Sequence, residues 1–97
     1  SLRVDAGGDF AAAGKEYPNN SLVVVLQKSA DIVTTLHTVR TTTGLNLIRM
    51  SPAGERFAAI DAYNAMDVFD TMTGQRLVRC ATGEASDQLA SSLYPFG

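Results

Sequence analysis

The stretch from Ser51 to Gly74, SPAGERFAAIDAYNAMDVFDTMTG, carries three punctuation marks at spacings that suit a short antiparallel meander. Pro52 and Gly54 mark a tight turn, because one presets φ and the other tolerates a positive φ. Phe57 to Ile60 then reads as a strand and Asp61 to Ala65 (DAYNA) as a loop. Met66-Asp-Val-Phe69 alternates apolar and polar, the pattern of a half-exposed strand. Asp70 to Gly74 (DTMTG) turns the chain into a last strand, Leu77 to Cys80, and the Asp70 carboxylate is expected to accept backbone amides of that turn.

Working outward, Gly44 to Met50 is the strand that feeds this meander. Before it, Ile32 to Leu36 is a strand, and the threonine-rich His37 to Thr43 either extends it or forms a loop. Helix is disfavoured there, because β-branched residues lose χ1 freedom in a helix and none in a strand. Leu22 to Leu26 is a β-branched strand followed by a polar turn, Gln27 to Asp31. Nearer the start, Ser1 to Val4 and Phe10 to Ala13 are strands separated by the glycine turn Asp5 to Asp9. Gly14 to Ser21 (GKEYPNNS) is a polar loop. After Cys80, Ala81 to Gln88 is a loop by composition, with a short helix over Glu84 to Ser92 as the competing reading.

The meander occurs twice. Leu2 to Asp9 lies on Ile48 to Glu55, Phe10-Ala-Ala12 on Phe57-Ala-Ala59 after a gap at Arg56, Leu22 to Leu26 on Met66 to Asp70, and Ser29-Ala-Asp31 on Thr73-Gly-Gln75. The copies are about 44 to 47 residues apart, the period of a four-stranded propeller blade. Tyr94-Pro-Phe-Gly97 repeats the Pro and Gly spacing of Ser51 to Gly54 and begins a third copy. The division is therefore 1–46 for the first repeat, 47–89 for the second and 90–97 for the start of a third, with the chain beginning and ending at equivalent points.

Ser51-Pro52-Ala53-Gly54, the small-residue strand Phe57-Ala58-Ala59, the strand ending in Phe69-Asp70 and the Thr73-Gly74 pair resemble the blade pattern of the WD-repeat β-propellers. Phe69-Asp70 stands where that family often has Trp-Asp. Other short-repeat propellers share parts of the pattern. The blades diverge from the family: Val25-Leu26 replaces the aromatic-Asp pair in the first copy, Gly-His survives only as Leu36-His37, and Tyr63 stands where a loop Asp is usual. The resemblance implies an all-β fold, two four-stranded antiparallel blades of a larger propeller and incomplete alone, since closure takes roughly 4 to 8 blades. The remaining blades would lie in the same or another chain, and the 97 residues by themselves are not expected to fold cooperatively. The competing fold is a compact all-β domain with an accidental repeat.

Composition sets limits on chemistry. The chain is 45% hydrophobic and 19% charged, ordinary for a globular domain, and its longest apolar run is far short of a bilayer span. Ten acidic and eight basic side chains are spread along the chain, which argues against a nucleic-acid-binding stripe. The lone Cys80 favours a reducing, cytoplasmic setting and a structural role. His37 is the single histidine, so no metal cluster can be assembled, and Asp67 and Asp70 point to opposite faces of one strand, unlike a catalytic pair. Neither a phosphate-binding glycine loop nor a serine nucleophile elbow occurs.

No catalytic residue, cofactor or metal is therefore expected, and the expected function is that of a non-catalytic scaffold for protein partners. In the family's geometry the loops Gly14 to Ser21, His37 to Thr43, Asp61 to Ala65 and Ala81 to Gln88 share one rim. Tyr17, Asn19, Asn20, His37, Tyr63 and Asn64 are the candidate contacts, tyrosines and asparagines being adaptable interface groups. The alternative is a segment of an enzymatic or ligand-binding propeller whose active residues lie on other blades.

Overall fold

A computed structural model describes residues 2–18, 20–41, 44–63 and 65–80. Eight strands follow in chain order: β1 (Leu2–Gly7), β2 (Phe10–Glu16), β3 (Ser21–Ser29), β4 (Ile32–Thr41), β5 (Leu47–Met50), β6 (Arg56–Ile60), β7 (Met66–Asp70) and β8 (Arg76–Cys80). They form two four-stranded antiparallel sheets, β1-β2-β3-β4 and β5-β6-β7-β8. The fold is all-β, as the sequence predicts. Among the described residues there is no helix, and so none long and apolar enough to cross a membrane.

The strands of the first sheet are longer than the sequence suggests. β1 runs through Asp5, Ala6 and Gly7, leaving only Gly8 and Asp9 to turn. β2 continues through Gly14, Lys15 and Glu16, so the expected loop shrinks to residues 17–20. Gln27, Lys28 and Ser29 stay in β3, and His37 to Thr41 extend β4. The reason is common to all of them: once β2, β3 and β4 are aligned, each added polar residue satisfies its backbone groups in the ladder at no cost in burial. In the second sheet the reverse holds for β5, which begins at Leu47 rather than at Gly44. The expected loop and alternative helix after Cys80, and the third-copy residues Tyr94 to Gly97, lie outside the described residues.

The turns follow their residue chemistry. Ser51 N donates to Arg56 O at 2.9 Å, Arg56 N donates to Ser51 Oγ at 3.1 Å, and Gly54 N closes on Ser51 O at 2.8 Å. Asp70 behaves as the sequence predicts: its Oδ1 accepts Thr73 N at 3.0 Å, and its carbonyl accepts Gly74 N at 2.8 Å. The non-glycine exception is Ala30, at φ 55° in the two-residue turn between β3 and β4.

Residues directly opposite in a ladder share a face, so the registers sort the sheets into rows. In the first sheet the row Asp5, Ala12, Val25, His37 faces the second sheet, and the row Ala6, Ala11, Leu26, Thr35 faces away from it. In the second sheet Met50, Phe57, Phe69 and Arg76 form the row facing the first, and Arg49, Ala58, Val68 and Val78 form the far row. The main core lies between the sheets. It joins Ala12, Val23, Val25 and Val39 to Ile48, Met50, Phe57, Ala59 and Phe69, with the rings of Phe57 and Phe69 stacked at 5.1 Å. A second cluster, Ala58, Ile60, Met66 and Val68, occupies the far face of the second sheet.

Both faces of β7 are consequently buried, and Asp67 has no exposed surface. This corrects the expectation of a half-exposed strand. Alternation reports a solvent face only when one side of the sheet is open, and here neither side is.

The two sheets approach each other most closely along β1 and β5, which run in the same direction. Arg3 Nε donates to Asn46 O, Met50 N donates to Asp5 Oδ2 at 2.7 Å, and Gly7 lies against Ser51 and Gly54.

Superposing the ladders places Ala11 on Phe57, Leu26 on Phe69, Val25 on Val68 and His37 on Val78. In each sheet the pairing of the third strand with the fourth shifts at that same point, between Val25 and Leu26 and between Val68 and Phe69. The sequence alignment of Phe10 with Phe57 is therefore one residue out in β2 and β3, drawn there by the shared aromatic. With the correct register the sheets stack head to tail. The face that the first sheet turns to the second corresponds to the second sheet's far face.

Candidate functional site

The parallel course of β1 and β5 puts equivalent loops at the same edge of both sheets. One edge carries the β2–β3 loop (residues 17–20), the β4–β5 connection and the β6–β7 loop (residues 61–65). The other carries the β1–β2, β3–β4, β5–β6 and β7–β8 turns.

Within the first of these edges, Tyr17 N donates to Asn20 O at 2.7 Å and closes the β2–β3 loop. Tyr17 is 44% exposed, and Lys15 Nζ lies 5.6 Å from the centre of its ring, a cation–π distance. Asn20 is half-buried. The β6–β7 loop is held from inside: Asp61 Oδ1 accepts Tyr63 N at 2.8 Å and Ala65 N at 3.0 Å, and Asp61 N donates to Ala65 O at 2.9 Å. These three bonds fix the backbone while Tyr63 remains 75% exposed. Between the loops, Glu16 Oε2 accepts Leu45 N at 2.9 Å, and Asn46 N donates to Ile60 O at 2.7 Å. The rim is thus a braced edge bearing two outward tyrosines.

Comparison with protein-family models, curated proteins and solved structures finds no match.

Of the residues expected at the rim, Tyr17, Asn20 and Tyr63 share this edge, whereas Asn19 and Asn64 lie outside the described residues. His37 does not belong with them. It stands inside β4 opposite Val25, and a Cβ on Gly74, in the β7–β8 turn at the other edge, would be 3.1 Å from its Nε2. The threonine-rich segment continues the ladder as strand, and this turns His37 inward between the sheets. Its Nε2 is buried with no hydrogen-bond partner.

No group of three or more His, Cys, Asp or Glu side chains is placed to hold a metal ion among the described residues. Glu16 and Asp61, which brace this edge through their carboxylates, are residues that residue-type reasoning passed over. The signal for Asp61 was present, since an Asp two residues before a loop amide is the pattern of an Asx turn.

Proposed function

We propose that the chain is part of a β-propeller of WD-repeat-like type that serves as a non-catalytic scaffold, offering its loop rim to protein partners in the cytoplasm. The observation that carries the reading is the head-to-tail stacking of two equivalent four-stranded meanders, closest at their first strands. Such stacking propagates from blade to blade, and a propeller is the closed form of it for four-stranded units. Its other blades belong to the same or another chain.

The rim supports the partner side of the proposal. A rigid backbone that exposes aromatic rings loses little conformational entropy on binding, and tyrosine offers both apolar area and a hydroxyl. The test is to replace Tyr17 and Tyr63 with Ala, singly and together, in the natural full-length protein and to measure binding of its co-purifying protein partners. Binding should fall about tenfold or more for the pair, as for central interface aromatics, with Tm unchanged. Unchanged binding of every partner would overturn the rim as the interaction surface.

A further inference from the structure

On the face of the first sheet turned away from the second, Leu2 and Val4 are 63% and 58% exposed, and Val33 is 60% exposed. Ala11, Ala13, Leu22, Val24 and Leu26 extend this apolar surface across the sheet. What distinguishes it from an ordinary open face is that its counterpart is already covered in the same molecule. The equivalent residues of the second sheet, Ile48, Met50, Phe57, Ala59 and Phe69, form the buried core against the first.

The two faces differ in one row. The second sheet fills it with Met50, Phe57 and Phe69, which share one core cluster with Ala12 and Val25 of the first sheet. The first sheet has Ala6, Ala11 and Leu26 there instead. Where the second sheet carries two rings, the first has a hollow of about 260 Å³ lined by Ala6, Phe10, Ala11, Leu26 and Val33, with Asp9 and Lys28 at its margin. Lys28 N donates to Asp9 O at 2.7 Å, so that margin is fixed by the backbone.

The geometry points to a specific neighbour: a four-stranded sheet that carries a bulky apolar residue, aromatic, Leu or Met, in the row where the first sheet has Ala12 and Val25. That side chain fills the hollow over Ala11 and Leu26. The bulk that the second sheet supplies from its own Phe57 and Phe69 is supplied here from the other side of the junction. A second copy of this chain does not meet the requirement, because the far face of its second sheet is already buried and its far row holds Arg49, Ala58 and Val68. Those residues would leave the hollow unfilled, at the cost that close-packed interiors exact for voids. The inference rests on the propeller reading for the existence of a neighbour and adds the shape of that neighbour.

Three variants in the natural full-length protein separate the two. Ala11→Cys should react with a maleimide about tenfold or more slowly than Thr34→Cys, an exposed control, because a covered site is labelled only through opening. Ala11→Phe should lower Tm by several degrees, since the space is already taken and overpacking strains a full core. Ala11→Val should shift Tm in the same direction by less, which keeps the measurement if the larger variant does not fold. Protection of the cysteine variant together with a rise in Tm for Ala11→Phe or Ala11→Val would overturn the bulky neighbour and leave the propeller reading standing. Labelling of Ala11→Cys as fast as the control would overturn the neighbour itself, and the propeller reading with it.

Discussion

A methyl group on Gly54 would collide with the Gly7 carbonyl and come within 2.8 Å of Phe10 Cδ2, in a residue already at φ 80°. Strain and backbone overlap act together there, and neither neighbour is a flexible chain end that could move aside. Gly54→Ala should therefore lower stability by at least about 2 kcal/mol, read as a fall in Tm of the full-length protein. An unchanged Tm would mean that the first-strand contact between the sheets is absent. At this scale the sequence was partly legible. Gly54 and Asp70 announced their turns because glycine and aspartate are selected for those geometries. Ala30 gave no sign of its left-handed backbone, since nothing in an alanine favours that conformation. His37 was misplaced because a β-branched segment carries no mark of where its strand stops.

Between elements, the bond from Met50 N to the Asp5 carboxylate joins the first strands of the two sheets. A charged acceptor on a backbone donor is among the stronger hydrogen bonds, and its removal strands the donor in a part-buried site. Asp5→Ala should cost about 1–3 kcal/mol in unfolding free energy, the range for losing a hydrogen bond to a charged group. Asp9→Ala, at an exposed turn, should change stability by less than about 0.5 kcal/mol. Equal effects in denaturant unfolding would refute a role for Asp5 in coupling the sheets. Element order and strand type could be read from turns and β-branched runs, whereas strand length could not. Gly14, Lys15 and Glu16 are weak strand formers that are recruited by the ladder to β3. The burial of Asp67 was equally hidden, because alternation within one strand cannot say how many sheets lie over it.

For the molecule as a whole, two four-stranded antiparallel units were legible in the sequence, but the residue correspondence between them was not, since the match of Phe10 to Phe57 outweighed a one-residue shift that only the ladders and the paired register irregularities expose. The rim was legible as loops between strands; the hollow beside Ala11 was not, because it exists only by comparison with the filled row on the second sheet. On the propeller reading, the 97 residues alone should bind a hydrophobic dye and melt without a sharp transition, as repeat arrays short of their neighbouring units do. A cooperative thermal transition of the isolated monomer would count against the propeller. The Asp5 carboxylate has one more consequence at this scale. Met50 N lies on the edge of β5 that no strand of its own sheet pairs with, and the aspartate of the neighbouring β1 occupies that position with a side chain that cannot continue a sheet ladder. The contact that joins the two sheets is thus also a stopper against their fusing into one endless ribbon, and against the aggregation that such fusion begins.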